Sequence, residues 1–199
     1  MKIGVLGGTF NPPHKGHLAI AAEVRKELAL RKVIFLPAGQ PYFKEAAEVL
    51  PSRHRVAMVR LAIQGKPGFE CSPLEVERPG PTYTVDTLKQ LRQDMKDDEL
   101  FFIMGCGNLE ELPSWREPAR IIELCRLVVV PRPGYRLPDL EALEVRIPGL
   151  SRRLIFMDKP QLSVSATDIR RRVAQGLPIS QLVPGPVEGY IKENRLYRA

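Results

Sequence analysis

Short unbroken apolar runs alternate along this chain with stretches in which apolar residues return every three or four positions. An unbroken run reads as a strand covered on both faces, since such a strand has no polar side to show. The three-or-four spacing reads as an amphipathic helix. Strands are predicted over 2–6, 32–37 ("KVIFLP"), 99–105 ("ELFFIMG"), 126–131 ("RLVVVP") and 152–157 ("RRLIFM"). Segment 69–77 is strand-like through the alternation at Leu74 and Val76. A helix follows the first strand, with Leu18, Ala21, Ala22, Arg25 and Leu28 at helical spacing. Further helices are predicted over 52–65, capped by Ser52 and stopped at Gly65, and over 81–95, with Val85, Leu88, Leu91 and Met95 on one face. Segment 114–125 opens on a capping box, Ser114 with Glu117, and places Pro118 in a first turn, where proline is tolerated. Segment 165–176 opens on a second box, Ser165 with Asp168, and 187–197 closes the chain as a helix.

Strand, helix and strand fit within residues 2–37, the size of one βαβ unit, and such units cross over right-handed to build a parallel sheet. The full alternation predicts an α/β fold, a Rossmann-like doubly wound parallel sheet with helices on both faces, spanning 1–199 as a single domain. Ligands of such sheets lie at the carboxyl ends of the strands. The chain's unusual residues fall there too, at 7–17, 105–108, 132–134 and 165–170.

Composition changes this picture only at the margins. The 199 residues are 44% hydrophobic, which is ordinary for a soluble domain with a sizeable core. A net charge of +7 favours anionic partners. No interleaved aromatic and basic motif supports nucleic-acid binding, so no nucleic-acid partner is expected. Three widely spaced cysteines make no pair or framework, and reduced thiols in the cytoplasm are expected. The opening apolar run breaks at glycine too early for a signal peptide or a membrane span, so no membrane partner is expected. A homo-oligomer is left open.

The candidate chemistry begins at "GGTFNPPHKGHL", residues 7–18. Gly7 and Gly8 allow a sharp turn and a close approach of backbone to ligand. The helix after them offers free N–H groups and the positive end of its dipole, a ready site for phosphate. Thr9 adds a hydroxyl and Lys15 a charge. His14 and His17, three residues apart, can point into one site. Two such donors suit a reaction in which charge gathers on phosphate oxygens. A zinc pair is the weaker reading, because zinc needs three or four ligands and His54 is the only other histidine. A dinucleotide fingerprint is excluded: the glycine spacing is wrong, and the second strand ends in Pro37-Ala38-Gly39 without an acid. Histidines that merely start a helix rank behind the phosphate reading.

The same stretch resembles the T/H-x-G-H signature of the nucleotidylyltransferase superfamily, and "VSATDIRRRV" (164–173) resembles its second motif, I-S-x-T-x-x-R, at Ser165, Thr167 and Arg170. "LPAGQPYFK" (36–44), "RPGPTYTVDTL" (78–88), "LPSW" (112–115), "VVVPRPGY" (128–135) and "LVPGPVEGYIKENRLY" (182–197) resemble the bacterial nicotinate-nucleotide adenylyltransferase family, so the resemblance runs from Met1 to Tyr197. It implies transfer of AMP from ATP to nicotinate mononucleotide, giving deamido-NAD and pyrophosphate, in NAD biosynthesis. It implies that Gly7, Gly8, Thr9, Phe10 and Gly105 line the ATP site, with His14 and His17 on the phosphates. Ser165, Thr167 and Arg170 would grip the triphosphate, so that segment 165–199 completes the ATP site. On the acceptor side it implies stacking by Trp115 and contacts from Lys44, Thr84, Arg116 and Arg132. It also implies Mg²⁺ held mainly by the ATP phosphates, with no protein metal site.

Two positions depart from the family pattern. Asn11 stands where the family often has Asp, and Gly107 where it usually carries an acid turned towards the ribose hydroxyls. Asn108, a backbone group or water are the available substitutes. The Gly107 departure keeps two alternatives open: a non-catalytic or weakened nucleotide-binding module, and an adenylyltransferase for another phosphorylated acceptor.

Overall fold

A computed structural model describes residues 1–39, 49–131, 134, 137–159 and 164–198. Its strands are β1 (Lys2–Gly8), β2 (Lys32–Pro37), β3 (Phe69–Cys71), β4 (Glu99–Gly105), β5 (Arg126–Val130) and β6 (Leu154–Phe156). Its helices are α1 (Lys15–Glu27), α2 (Ser52–Ile63), α3 (Thr84–Asp94), α4 (Cys106–Glu111), α5 (Pro118–Leu124), α6 (Leu140–Arg146), α7 (Ala166–Ala174) and α8 (Gly185–Glu193). The six strands form one sheet in the order β3-β2-β1-β4-β5-β6, and every pairing is parallel. The predicted fold class holds. The order runs outward in one direction from β1 and in the other from β4, so the chain's direction of winding reverses between those two strands. That reversal opens the crevice where doubly wound sheets bind ligands.

The apolar runs are unbroken because both faces of the sheet are covered. Ile3, Val5, Ile34, Leu36, Leu100, Phe102, Leu127 and Val129 point to one core, which Val85, Leu88 and Leu91 of α3 and Ile121 and Ile122 of α5 complete. The alternate positions Leu6, Val33, Phe35, Phe101, Ile103, Val128 and Val130 point to a second core, with Ala21 and Val24 of α1 and Val59 and Ile63 of α2. The period of two is thus present in direction while absent in polarity. Gly4 faces the second core, where a Cβ would come within 2.9 Å of Leu30. A third cluster joins Met58 and Ala62 of α2 to Ile169 of α7 and Val187 and Ile191 of α8, and seats the C-terminal helices beside the start of α1.

Several element boundaries differ from the sequence reading. The helix expected over 52–65 has Pro51, not Ser52, at its cap position and ends at Ile63. The helix expected from residue 81 starts at Thr84, after Tyr83 in extended backbone. The strand expected over 69–77 stops at Cys71, with Pro73 two residues on. Ser114 does not cap a helix: it closes a 3-10 turn over Leu112–Ser114, and its hydroxyl donates to the Glu111 carbonyl at 2.7 Å. Glu117 takes a left-handed conformation and its carboxylate meets Lys89 at 3.0 Å, so α5 begins at Pro118. Asp168 likewise leaves the expected box and pairs with Arg171 and with Arg172, the latter at 3.1 Å. Helices α4 and α6 were not anticipated.

Candidate active site

The first strand ends in two glycines because the chain must turn there against the sheet. Phe10, the second residue beyond them, has φ +50. A bulky residue in that region stores about 1–3 kcal/mol and persists only where its surroundings fix it. Its ring is buried at 2% exposure and lies under Gly8, where a Cβ would sit 3.2 Å from it. It also meets the His17 ring edge-on, with centroids 4.9 Å apart. The Phe10 ring does not line the cavity; it belongs to the second core and supports the turn from below.

His14 is the residue before α1 and His17 lies in its first turn. The two rings stack, with centroids 3.6 Å apart and planes 22° from parallel. The His14 backbone N–H donates to Nδ1 of His17 at 3.1 Å. An imidazole nitrogen that accepts carries no proton, so the proton of neutral His17 sits on Nε2. Burial, and then the neighbouring His14, hold the His17 pKa well below its ordinary value. His17 is accordingly a neutral Nε2–H donor at physiological pH rather than an imidazolium.

The sign of the pH effect on stability follows. The unfolded chain protonates this histidine near pH 6.5 and the folded chain resists doing so, so stability is full above about pH 6.5 and falls as pH drops below it. The slope from this group reaches at most about 1.4 kcal/mol per pH unit. Urea unfolding of the wild type and of His17→Asn, compared at pH 7.5 and 5.5, is expected to show a smaller loss on acidification in the variant. Equal losses in both would remove His17 as the cause.

Arg170, from α7, reaches this same turn: Nη1 donates to the Asn11 carbonyl at 3.0 Å and Nη2 to the Thr167 hydroxyl at 3.4 Å. Ser165 holds the cap position of α7 and Thr167 is exposed in its first turn. A Cβ at Gly16 would lie 3.5 Å from Val164, and the Lys15 N–H donates to the Leu182 carbonyl at 2.9 Å. The two motif segments, at opposite ends of the sequence, are thus neighbours.

A cavity of about 570 Å³ opens at the carboxyl ends of β1, β2 and β4, the place expected for the ligand. Gly7, Gly8 and Thr9 form one side, with Ala38, Glu75 and Thr82, while Thr84, Asn108, Trp115 and Arg116 extend it. Trp115 packs edge-to-face on Phe102, with centroids 6.3 Å apart and planes at 85°. Its indole N–H is buried and has no hydrogen-bond partner among the described residues. The Arg116 guanidinium lies over the Tyr83 ring at 4.8 Å, with Asp86 at 3.6 Å and Glu117 at 3.8 Å. Gly105 is exposed at the end of β4, before α4. Gly107 lies in the first turn of α4, and two polar residues of that helix, Asn108 beside it and Glu111 at its end, line the cavity. Lys44 and Arg132 lie outside the described residues.

Sequence reasoning missed Glu75 and Arg55. The Glu75 carboxylate accepts from the hydroxyls of Thr87 at 2.8 Å and Thr82 at 3.4 Å, and burial raises its pKa against these bonds. Arg55 is 2% exposed and gives its guanidinium to three backbone carbonyls. Burial pulls its pKa down, with Tyr197 and then Glu75 opposing. One signal existed: Arg55 falls on the apolar stripe with Val59, Ala62 and Ile63, where a solvated arginine has no place.

A glycine turn leading into a helix at the switch point of a parallel sheet, with paired histidines and an arginine on its rim, defines a nucleotide-phosphate-binding α/β protein. The model of the cytidylyltransferase-like family matches residues 5–172. A probable nicotinate-nucleotide adenylyltransferase of Dehalococcoides mccartyi is 48% identical over 99% of this chain and 97% of its own length. One of Roseiflexus sp. is 50% identical over 98% of each chain. A solved structure of the Plasmodium falciparum nicotinic acid mononucleotide adenylyltransferase, complexed with NaAD, superposes at a TM-score of 0.78 over 98% of this chain and 97% of that one, at 17% identity. The chain belongs to the cytidylyltransferase-like family and, within it, to the nicotinate-nucleotide adenylyltransferases. Among the described residues no helix is long and apolar enough to cross a membrane.

Proposed function

We infer that this chain transfers the adenylyl group of ATP to nicotinate mononucleotide, giving deamido-NAD and pyrophosphate, in NAD biosynthesis in the cytoplasm. The observation that carries the reading is convergence. The Gly7–Thr9 turn lines one end of a cavity whose other end presents Thr84 and Trp115, and the stacked His14–His17 pair and Arg170 flank the same turn from α1 and α7. One end suits a polyphosphate and the other a planar ring.

The reaction needs no general base. The acceptor's 5′-phosphate has a second pKa near 6 and is largely dianionic at neutral pH. Its oxygen attacks the α-phosphorus of ATP, a P–O bond forms, and the bond to the bridging oxygen of pyrophosphate breaks. What the chain supplies is alignment and stabilisation of charge. The Nε2–H of His17 donates to the phosphate oxygens as charge gathers on them, without a proton changing hands. His14 fixes the His17 tautomer through its backbone N–H, and its own ring adds a second contact on the phosphates. Arg170 leaves the Asn11 carbonyl for the triphosphate, where a planar guanidinium binds two oxygens at once. Ser165 and Thr167 add hydroxyls beside it. Gly105 lets the nucleotide pass close to the end of β4. Trp115 stacks on the pyridine ring, Thr84 and the backbone at Trp115 and Arg116 meet its carboxylate, and Lys44 and Arg132 contact the acceptor's phosphate. Asn108 takes the ribose contact that Gly107 does not supply.

Among the described residues no three of His, Cys, Asp and Glu cluster closely enough to hold a metal ion. Mg²⁺ carried by the phosphates of ATP would supply charge neutralisation for the leaving pyrophosphate.

The test is pyrophosphate release from ATP and Mg²⁺, with nicotinate mononucleotide and nicotinamide mononucleotide supplied in turn. Release is expected with the acid and little with the amide. No release with either, from a folded protein that binds ATP, would favour a non-catalytic nucleotide-binding module, to which the Gly107 departure points.

A further inference from the structure

The phosphate turn is gripped from behind by residues that do not line the cavity. Arg55, from α2, donates Nη1 to the Thr9 carbonyl at 2.9 Å, Nη2 to the Gly39 carbonyl at 3.0 Å and Nε to the Leu50 carbonyl at 3.0 Å. One buried planar cation therefore ties together the turn after β1, the exit from β2 and the approach to α2. On the far side of Phe10, the Tyr197 hydroxyl donates to Asn11 Oδ1 at 2.9 Å, and the Leu50 N–H approaches the same oxygen at 3.4 Å. Phe10, left-handed at φ +50, is thus held at both of its neighbours. Its ring in turn stands edge-on to His17. A relaxation of Phe10 towards an ordinary φ would swing that ring and release the imidazole it supports.

We propose that Arg55 and Tyr197 are positioning residues: by clamping Thr9 and Asn11 they keep Phe10 in its left-handed conformation, and through the Phe10 ring they fix the orientation of His17. Its kinetic consequence rests on the adenylyl-transfer reading; its geometric consequence does not. A fully buried arginine without this task is hard to account for, since burying a cation is costly and a well-packed apolar side chain would fill the same space. Three carbonyls from three separate chain segments are what a planar, five-donor group satisfies and a lysine does not. Tyr197 makes the same point from the other end of the chain, because its bond to Asn11 spans nearly the whole sequence.

Tyr197→Phe and Arg55→Lys test this, each read by steady-state pyrophosphate release, by calorimetric ATP binding and by the ¹⁵N shifts of His17. Thermal unfolding of each is followed alongside. For Tyr197→Phe the expected result is a kcat about tenfold lower, as misplacement of a reacting group produces, with the KM for nicotinate mononucleotide changed less than twofold. The His17 ring should move from a single Nε2–H tautomer towards a mixture of both. Arg55→Lys should show the same pattern with a larger loss. A folded Tyr197→Phe protein with unchanged kcat and an unchanged His17 tautomer would overturn the proposal, and if Arg55→Lys fails to fold, Tyr197→Phe alone decides it. A wild type that releases no pyrophosphate would defeat the adenylyl-transfer reading instead, and the tautomer measurement would still decide this one.

Discussion

Replacing His17 by alanine is expected to slow turnover about a thousandfold while weakening ATP binding by no more than about threefold, because a preorganised donor matters most where charge develops. His17 makes no ion pair with ground-state phosphate, being neutral, so little binding is lost with it. What it offers is an N–H of fixed direction, set by three features: the His14 N–H on Nδ1, the stacked His14 ring and the Phe10 edge. An asparagine or glutamine can present a comparable N–H but none of that support, and should recover only part of the rate. Single-turnover rates and equilibrium ATP binding separate the two effects. Equal losses in both would place His17 in ground-state binding alone. Activity should also stay flat from about pH 6.5 to 8, since no proton leaves His17 in that range.

The order of strands and helices was legible because every strand but the short β3, which has Glu70 at its centre, is an apolar run closed by glycine, proline or charge. What sequence did not reveal was short or overridden by neighbours. Helices α4 and α6 are six and seven residues long, too brief to show a helical period. Ser114 with Glu117 spells a capping box, yet Pro118 fixes the true start of α5 and both partners find other bonds. The glycine turn and its histidines were legible for the opposite reason: their chemistry is local, with Gly7 to His17 supplying glycines, hydroxyl and imidazoles within one stretch. The clamp behind it is not local. Arg55 meets carbonyls 46 and 16 residues away, and Tyr197 meets Asn11 across 186. A backbone carbonyl carries no mark in the sequence, so a residue whose partners are carbonyls is hidden until the fold assembles them. Phe10 was legible as part of the turn, but not that its ring is spent on the core, because the left-handed backbone that sends it there carries no mark in the sequence.

Trp115→Ala is expected to act on the other substrate. Loss of an aromatic face under a planar ring costs about 1–3 kcal/mol, so the KM for nicotinate mononucleotide should rise by roughly 5- to 150-fold. The KM for ATP should change less than about twofold, because the Gly7–Thr9 turn and Arg170 are held by α1, α2 and α7 rather than by the segment carrying Trp115. Folding should survive the change. Trp115 is only partly buried at the edge of the first core, and Phe102 beneath it stays anchored among Val5, Leu100 and Met104. Trp115→Phe separates stacking from every other contribution of the indole. It keeps an aromatic face over the cavity and removes an N–H that is buried without a partner among the described residues, so it should bind the acceptor nearly as well as the wild type and unfold no earlier. Steady-state kinetics with each substrate varied in turn provides the check. A rise in both KM values together, or a fall in kcat alone, would show that Trp115 shapes the site as a whole and is not the platform for the pyridine ring.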